Sequence, residues 1–197
     1  MEFLNDAPNR LQRYFTQGSW DIYDGVEVAN DANLTVCDIV LSAGLNSRIN
    51  RNKLWQIWQH KQQIENHLNN IPNDITLEAE HIPWDELADL FDSFCQIKFV
   101  KEATTTKILH KKRPNLIPVC DSVLYTHFKS QLREVWNRGG GVFIVKFMQL
   151  FREILLTHRP EIYSLCEFTK EEGWPVTPVR LLEVLIWIED EPNGEYI

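Results

Sequence analysis

One carboxylate is the residue of this sequence whose type and position most suggest chemistry. Asp121 follows a constrained segment between Pro114 and Pro118, at the point where a new helix is predicted to begin. A carboxylate there could stabilise positive charge that develops on a sugar, or orient a water molecule. It could also do no more than cap the helix, because an Asp at a helix start accepts hydrogen bonds from the first free amides. The sequence leaves both interpretations open.

Positive charge collects around this carboxylate in an otherwise acidic chain. The 197 residues carry a net charge of −8, yet residues 98–138 hold nine Lys or Arg against three Asp or Glu, a local charge of +6. A basic region can contact phosphates even on an acidic protein, so DNA is the predicted macromolecular partner. The alternative is that these lysines lie on a solvated helix face. The residues predicted to bind nucleic acid are Lys98, Lys101, Lys107, Lys111, Lys112 and Arg113.

Two helices and the loop between them must position these residues. The first is predicted over residues 102–112. It ends at Arg113, because the residue before a proline is pushed out of the α region. The second predicted helix covers residues 122–137, with Asp121 at its start. The sequence therefore predicts a helix, a tight loop and a carboxylate at the next helix start.

The rest of the chain follows the same helical periodicity, and the alternation typical of strands is almost absent. The predicted fold is all-α, with about eight helices in a single globular domain over residues 1–197. A division into two lobes, 1–95 and 96–197, is left open. The remaining predicted helices cover residues 8–17, 35–43, 50–69, 83–94, 142–157 and 177–188, with 160–167 a short helix or turn.

Composition limits the cellular setting. Four well-separated cysteines without a CxxC pair favour reduced thiols, and the polar first residues do not resemble a signal peptide, so we expect a cytoplasmic protein. No apolar run reaches the roughly 18 residues that a membrane span needs. The histidines lack zinc-binding spacing and no glycine-rich nucleotide motif is present, so neither a metal nor a cofactor is predicted.

Three consecutive glycines, residues 139–141, precede the predicted helix 142–157. One interpretation is a turn that lets two helices reverse direction. The other is a set of backbone amides, at a helix start, that bind an anion.

The region around Asp121 resembles the signature of a bacterial family catalogued only as a domain of unknown function. That signature combines lysine-leucine-leucine, lysine-arginine-proline, leucine-isoleucine-proline and aspartate-serine elements, and residues 106–123 carry a similar series. Residues 180–187 resemble the closing helix of the same family. The resemblance implies kinship and brings no assigned activity.

The same region is also similar to the helix-hairpin-helix DNA glycosylases. In that superfamily a Gly-x-Gly hairpin binds a phosphate through its amides. A helix follows the hairpin, and a catalytic Asp lies at the start of the helix after that one. Here Phe99 and Lys101 stand at the glycine positions and Asp121 stands at the catalytic position. Ala103 occupies the place of the nucleophilic lysine of bifunctional members. The resemblance therefore implies, if the protein is an enzyme, a monofunctional glycosylase-like hydrolase.

Three functional hypotheses result. The leading one is a helical protein with a glycosylase-like scaffold that binds DNA through the six cations. The second is a non-enzymatic interaction or regulatory protein on a degenerate scaffold, with an unknown protein partner. The third is a monofunctional DNA base-excision glycosylase in which Asp121 is catalytic.

Overall fold

Helices make up all the regular secondary structure of residues 4–17 and 22–190, the part of the chain that the computed structural model describes. The all-α prediction is therefore confirmed. Eleven α-helices follow one another in this part of the chain: α1 (Ala7–Gln17), α2 (Val36–Leu41), α3 (Arg51–Gln59), α4 (Lys61–Leu68), α5 (Trp84–Cys95), α6 (Glu102–Lys112), α7 (Ser122–His127), α8 (Lys129–Leu132), α9 (Gly140–Thr157), α10 (Arg159–Glu171) and α11 (Pro178–Asp190).

The helix count exceeds the predicted eight mainly because two predicted helices are each divided. Residues 50–69 form α3 and α4, which meet at His60, and residues 122–137 form α7 and α8, which meet at Phe128. His60 has φ −96° and ψ 5°, and Phe128 has φ −93° and ψ 10°, both outside the helical region. A break of one residue leaves the spacing of the apolar residues unchanged, so periodicity does not reveal it.

Side-chain caps determine where several helices begin. The Asn50 side chain accepts a 2.9 Å hydrogen bond from the Lys53 amide at the start of α3. At the start of α2, Thr35 and Asp38 form a capping box: the Thr35 hydroxyl accepts from the Asp38 amide and the Asp38 carboxylate accepts from the Thr35 amide. The capping box also brings the Asp38 carboxylate into the interior, where it meets a lysine described below.

The helix pair α5 and α9 lies at the centre of the hydrophobic core. Core residues come from all parts of the described chain, from Ala7 in α1 to Ile188 in α11. The two central helices approach closely at Gly141, where an added Cβ would lie 2.2 Å from the Ala88 carbonyl oxygen. Only glycine permits this approach.

Two observations bear on the setting of the protein. Within the described residues, no helix combines the length and the apolar character that crossing a membrane requires. All four cysteines are free, and they range from exposed Cys37 to buried Cys120. The cytoplasmic location stays a prediction.

Candidate functional site

Helix α6 is polar in sequence but enclosed by the rest of the protein. The buried polar side chains of this helix are Thr104, Thr105, Thr106, Lys107, His110 and Lys112. Thr105 and Thr106 donate hydrogen bonds to carbonyl oxygens one turn back in the helix. The long cationic side chains cannot do this. Because buried polar groups need partners, neighbouring segments must supply acceptors for them.

Lys112 illustrates how these acceptors are supplied. Its side chain is 1% exposed, and its Nζ donates to the carbonyl oxygens of Ala29 at 2.7 Å and Asn33 at 2.9 Å. A third contact, of 2.8 Å, joins Nζ to Oδ1 of Asp31, and the buried carboxylate of Asp38 lies 3.6 Å away. Lys112 therefore holds the loop before α2 against α6.

Arg113 holds the end of α4 against α6 in a similar way. Its guanidinium is buried and donates through Nη2 to the carbonyl oxygens of Leu68 at 3.1 Å and Ile71 at 2.9 Å. Through Nη1 it donates to the Lys112 carbonyl oxygen at 2.7 Å. A planar group with five donors suits a cluster of carbonyl oxygens of this kind.

Lys107 and Lys111 also point their charges at internal oxygen atoms. Lys107 is buried and donates to the carbonyl oxygen of Leu45. Half-buried Lys111 donates to the carbonyl oxygens of Tyr23 and Val26, both at 2.8 Å. Burial lowers the pKa of both lysines below the usual value, since leaving water disfavours the charged form.

The six predicted DNA-binding cations are therefore not brought together on one surface. Only Lys98 and Lys101 are exposed. The other four donate to main-chain oxygens of the protein itself, because a loop distant in sequence covers α6. The expected exposed patch does not form from these six residues. DNA binding stays a prediction, and of these six cations only Lys98 and Lys101 are available to an external ligand.

Asp121 lies where the sequence places it, at the N-cap of α7. Its Oδ1 accepts hydrogen bonds from the amides of Val123 at 3.0 Å and Leu124 at 3.1 Å. The capping interpretation is thus realised in the structure, and these bonds occupy one of the two carboxylate oxygens. A catalytic role for Asp121 stays a prediction.

A buried charge cluster lies beside α6, and sequence reasoning missed it. Arg180 of α11 donates from Nε and Nη2 to the two carboxylate oxygens of Asp24, each at 2.8 Å. Its Nη1 forms a short contact with Glu183, and the other Glu183 oxygen accepts from the Val119 amide at 3.1 Å. Burial raises the pKa of Glu183 to about 8 although Arg180 opposes the change. One guanidinium here faces two carboxylates, so it cannot fully compensate both.

His110 lies against the same cluster and is neutral. Its Nδ1 bonds to the Ile117 carbonyl oxygen at 2.7 Å, and a carbonyl only accepts, so Nδ1 carries the proton. Burial, reinforced by the nearby Arg180 charge, lowers the pKa of His110 to about 4. The Tyr23 hydroxyl donates to the Lys107 carbonyl oxygen at 2.6 Å. The contacts of this cluster are all internal, so we interpret it as structural.

The one sequence signal for this cluster is the presence of Arg180 and Glu183 in an otherwise apolar helix. Charges in a buried helix require partners, because such residues are almost never fully buried alone. The sequence does not identify the partner, since Asp24 lies in an acidic, turn-rich stretch that shows no periodicity.

The turn between α5 and α6 has an unusual backbone at its tip. Phe99 has φ +68°, a left-handed conformation that bulky residues rarely adopt, and its side chain is 64% exposed. Buried Ile97 and Val100 hold the turn on both sides, and the Val100 amide donates to the Ile97 carbonyl oxygen at 3.0 Å. The Lys98 Nζ lies 5.0 Å from the centre of the Phe99 ring. The turn therefore presents an aromatic ring between two exposed lysines.

The start of α9 lies directly beside this turn. The Gly140 amide donates to Oε1 of Glu102 at 2.9 Å, and the Gly141 amide donates to Oδ1 of Asp92 at 2.7 Å. The amides that one of the two interpretations assigned to an anion thus donate to two carboxylates of the protein itself. Because Glu102 follows Lys101, these bonds place the residues before α9 next to the Phe99 turn.

The residues before α9 present a second exposed ring with cations around it. Trp136 is 50% exposed and stacks on Tyr125, with ring centres 4.0 Å apart, while its other ring contact is with Phe143. Lys129 and Arg133 line an open depression beside these rings. We define the Phe99 face as the exposed residues Lys98, Phe99, Lys101, Lys129, Arg133, Trp136 and Arg138.

Metal binding is not suggested by the described part of the chain. Over residues 4–17 and 22–190, no three His, Cys, Asp or Glu side chains are grouped so that they could hold a metal ion.

Comparison with known proteins gives one match. The model of a family described as a family of unknown function (DUF6308) matches residues 3–190, which is nearly the whole chain. No curated protein and no solved structure matches this sequence. The match includes α6, Asp121, α11 and both segments of the Phe99 face. The chain therefore belongs to the DUF6308 family of unknown function.

Proposed function

We propose that this protein binds DNA, single-stranded DNA in particular, through the Phe99 face. Exposed aromatic rings stack on bases of any sequence, and nearby cations neutralise the phosphates. Residues 96–101 and 127–138, which form this face, carry five Lys or Arg and one Glu, while the whole chain has a net charge of −8. The excess of positive charge is therefore local.

The observation that carries the proposal is the conformation of Phe99. A non-glycine residue with positive φ costs roughly 1 to 3 kcal/mol, and such strain is concentrated at functional sites. The Phe99 ring is mostly exposed, so packing in the core does not offset this cost. A ring held outward on a strained turn, between two lysines, suits contact with a ligand.

A glycosylase-like scaffold is part of the proposal. Helix α5, the Phe99 turn, α6, a proline-bounded loop and an Asp at the N-cap of α7 follow in the order that the resemblance implies. Phe99 also keeps the left-handed backbone that a hairpin glycine would adopt without strain. An experimental structure that superimposes on a helix-hairpin-helix glycosylase over these elements would support the scaffold, and one that does not would refute it.

A titration of labelled oligonucleotides at increasing salt tests the binding. Neutralising five phosphates of a single strand should give a slope of about −3.5 in log K against log salt concentration. We expect tighter binding to single strands than to a duplex of the same length, because stacking requires free base faces. A missing interaction at low salt, or a slope near zero, would contradict the proposal.

A further inference from the structure

A second surface, formed by α2 and α3, exposes apolar side chains that the fold does not use. Val36 and Val40, one turn apart on α2, are each nearly half exposed, and Trp55 on α3 is 58% exposed. The opposite sides of the two helices supply buried Ile39 and Ile57. Single exposed apolar residues are ordinary, but several on two adjoining helices form a patch of the kind that marks interaction sites.

This patch is concave. A groove, which we call the Trp55 groove, is lined by Val36, Arg51, Asn52, Leu54, Trp55 and Trp58. The apolar residues come from both helices, and the polar Arg51 and Asn52 lie at the start of α3. Grooves of this composition bind the apolar side of an amphipathic helix, through anchors spaced at i, i+3 or i+4, and i+7.

The stretch of chain that forms most of the groove carries only positive charge. Residues 39–64 contain no Asp or Glu, although the whole chain has 28 acidic residues. The same stretch contains four Lys or Arg, of which Arg48 and Arg51 are exposed. Asp38, the nearest acid before the stretch, is buried in the capping box and beside Lys112.

We propose that the Trp55 groove binds an amphipathic helix of acidic character from another protein. Apolar anchors of that helix would pack between Val36 and Trp55, and its carboxylates would face Arg48 and Arg51. Charge complementarity of this kind favours acidic partners over basic ones. The groove differs from the Phe99 face because aliphatic Val36 and Leu54 lie in a concavity together with the rings of Trp55 and Trp58. Aliphatic side chains offer no face on which a base can stack, whereas they suit the apolar side of a helix.

The test uses three synthetic peptides of about 16 residues and the intact protein, with backbone amide NMR signals as the readout. The first peptide has leucines on one helical face and glutamates on the other. The second replaces every glutamate by lysine, and the third scrambles the first. We expect the acidic peptide to shift the signals of α2 and α3, and to bind at least about tenfold more tightly than the other two.

Matched variants locate the binding. Val36→Glu and Trp55→Glu change exposed residues, so both should fold and both should weaken acidic-peptide binding by about tenfold or more. Leu156→Glu, at an exposed apolar residue of α9, is the control and should bind like the wild type. Circular dichroism confirms that each variant is folded.

Five outcomes would overturn the proposal. Four of them are binding of the acidic peptide weaker than about 1 mM, equal binding of the lysine peptide, an unchanged affinity in both groove variants, and shifts of the groove signals by single-stranded DNA. Concentration-dependent dimerisation abolished by Trp55→Glu would also overturn it, since the occupant would then be a second copy of the chain. None of these results depends on DNA binding at the Phe99 face.

Discussion

At the residue scale, Phe99 combines an unfavourable backbone with an exposed side chain. A residue selected for stability alone at φ +68° would be glycine, which adopts this conformation without a steric cost. Packing does not explain the side chain, and the flanking lysines fit the anionic ligand that we propose for this face.

Substituting Phe99 separates the cost of its backbone conformation from the contribution of its ring to DNA binding. Phe99→Gly should leave the free energy of unfolding unchanged or raise it by about 1 kcal/mol, because strain is relieved while the unfolded chain gains entropy. The same variant should lose about tenfold or more in affinity for single-stranded DNA, since one stacked base contributes roughly 1 to 3 kcal/mol. Urea denaturation and fluorescence anisotropy measure the two quantities. A variant that loses stability and keeps its DNA affinity would show that the ring is structural.

Asp121 permits an equally direct comparison of its two interpretations. As an N-cap, Asp121→Ala should lower the free energy of unfolding by about 1 kcal/mol, whereas Asp121→Asn should change it by only a few tenths, because Asn caps equally well. The assay for catalysis is release of free base from oligonucleotides that contain alkylated, deaminated or oxidised bases. Base release by the wild type that Asp121→Asn abolishes would establish the catalytic role, and a stability effect alone would leave only the cap.

Lys112 is expected to act on stability and not on DNA. Lys112→Met removes the partner of three oxygen atoms and of the buried Asp38, and should lower the free energy of unfolding by about 3 kcal/mol or more. The control is Lys170→Met, which breaks only an exposed ion pair and should change stability by less than about 1 kcal/mol. Equal stability in the two variants would contradict the structural role assigned to Lys112.

At the scale of the element, α6 shows why part of the fold could be predicted and part could not. The bounds of α6 and the position of Asp121 follow from proline and capping signals, which are local. The burial of Lys111 and Lys112 depends on carbonyl oxygens of residues 23–33, some 80 positions earlier in the chain, and that of Lys107 depends on Leu45. A lysine-rich helix is ordinarily solvated, so the local pattern alone indicated a surface.

The candidate site likewise combines features that local sequence signals predict with features that depend on tertiary contacts. The cations of the Phe99 face lie within the basic stretch that the sequence identifies. Their two segments are joined by hydrogen bonds that the Gly140 and Gly141 amides donate to Glu102 and Asp92. Lys129, Arg133 and Arg138 could be recognised as basic, yet the bond between Gly140 and Glu102 that links their segment to the Phe99 turn is a tertiary contact. Positive φ at Phe99 has no sequence signal, because the residue type argues against it.

The enclosure of α6 also predicts that the free energy of unfolding depends on pH. The pKa of His110 is lowered from 6.5 to about 4, so between these pH values the unfolded chain binds a proton that the folded protein does not. Stability attributable to His110 is therefore complete above about pH 6.5 and is lost as the pH falls toward 4, by roughly 3 kcal/mol in total.

Comparing the wild type with His110→Gln isolates this contribution. The difference in free energy of unfolding between the two proteins should change by roughly 3 kcal/mol between pH 7 and pH 4. If the variant does not fold, NMR titration of the wild-type imidazole gives the same information. An imidazole that titrates near pH 6.5 in the folded protein would contradict the burial of His110.

At the scale of the whole molecule, the distribution of charge matters more than its sum. The chain is acidic, and it uses four cations of its most basic stretch internally to hold residues 23–33, Leu45 and the end of α4. The cations left outside concentrate on the Phe99 face and around the Trp55 groove. An acidic remainder of the surface would repel nucleic acid and restrict contact to these two basic regions, of which we propose the Phe99 face as the DNA site.

Charge reversal on the Phe99 face tests the central claim most directly. The measurement is the affinity for a single-stranded oligonucleotide at low salt, for the wild type, for Lys98→Glu/Lys101→Glu, and for Arg51→Glu/Lys170→Glu as a control that reverses two exposed cations elsewhere. We predict that the first variant, with unchanged stability, binds about tenfold or more weakly and that the control binds like the wild type. Equal affinity in all three proteins, or an equal loss in both variants, would contradict the account.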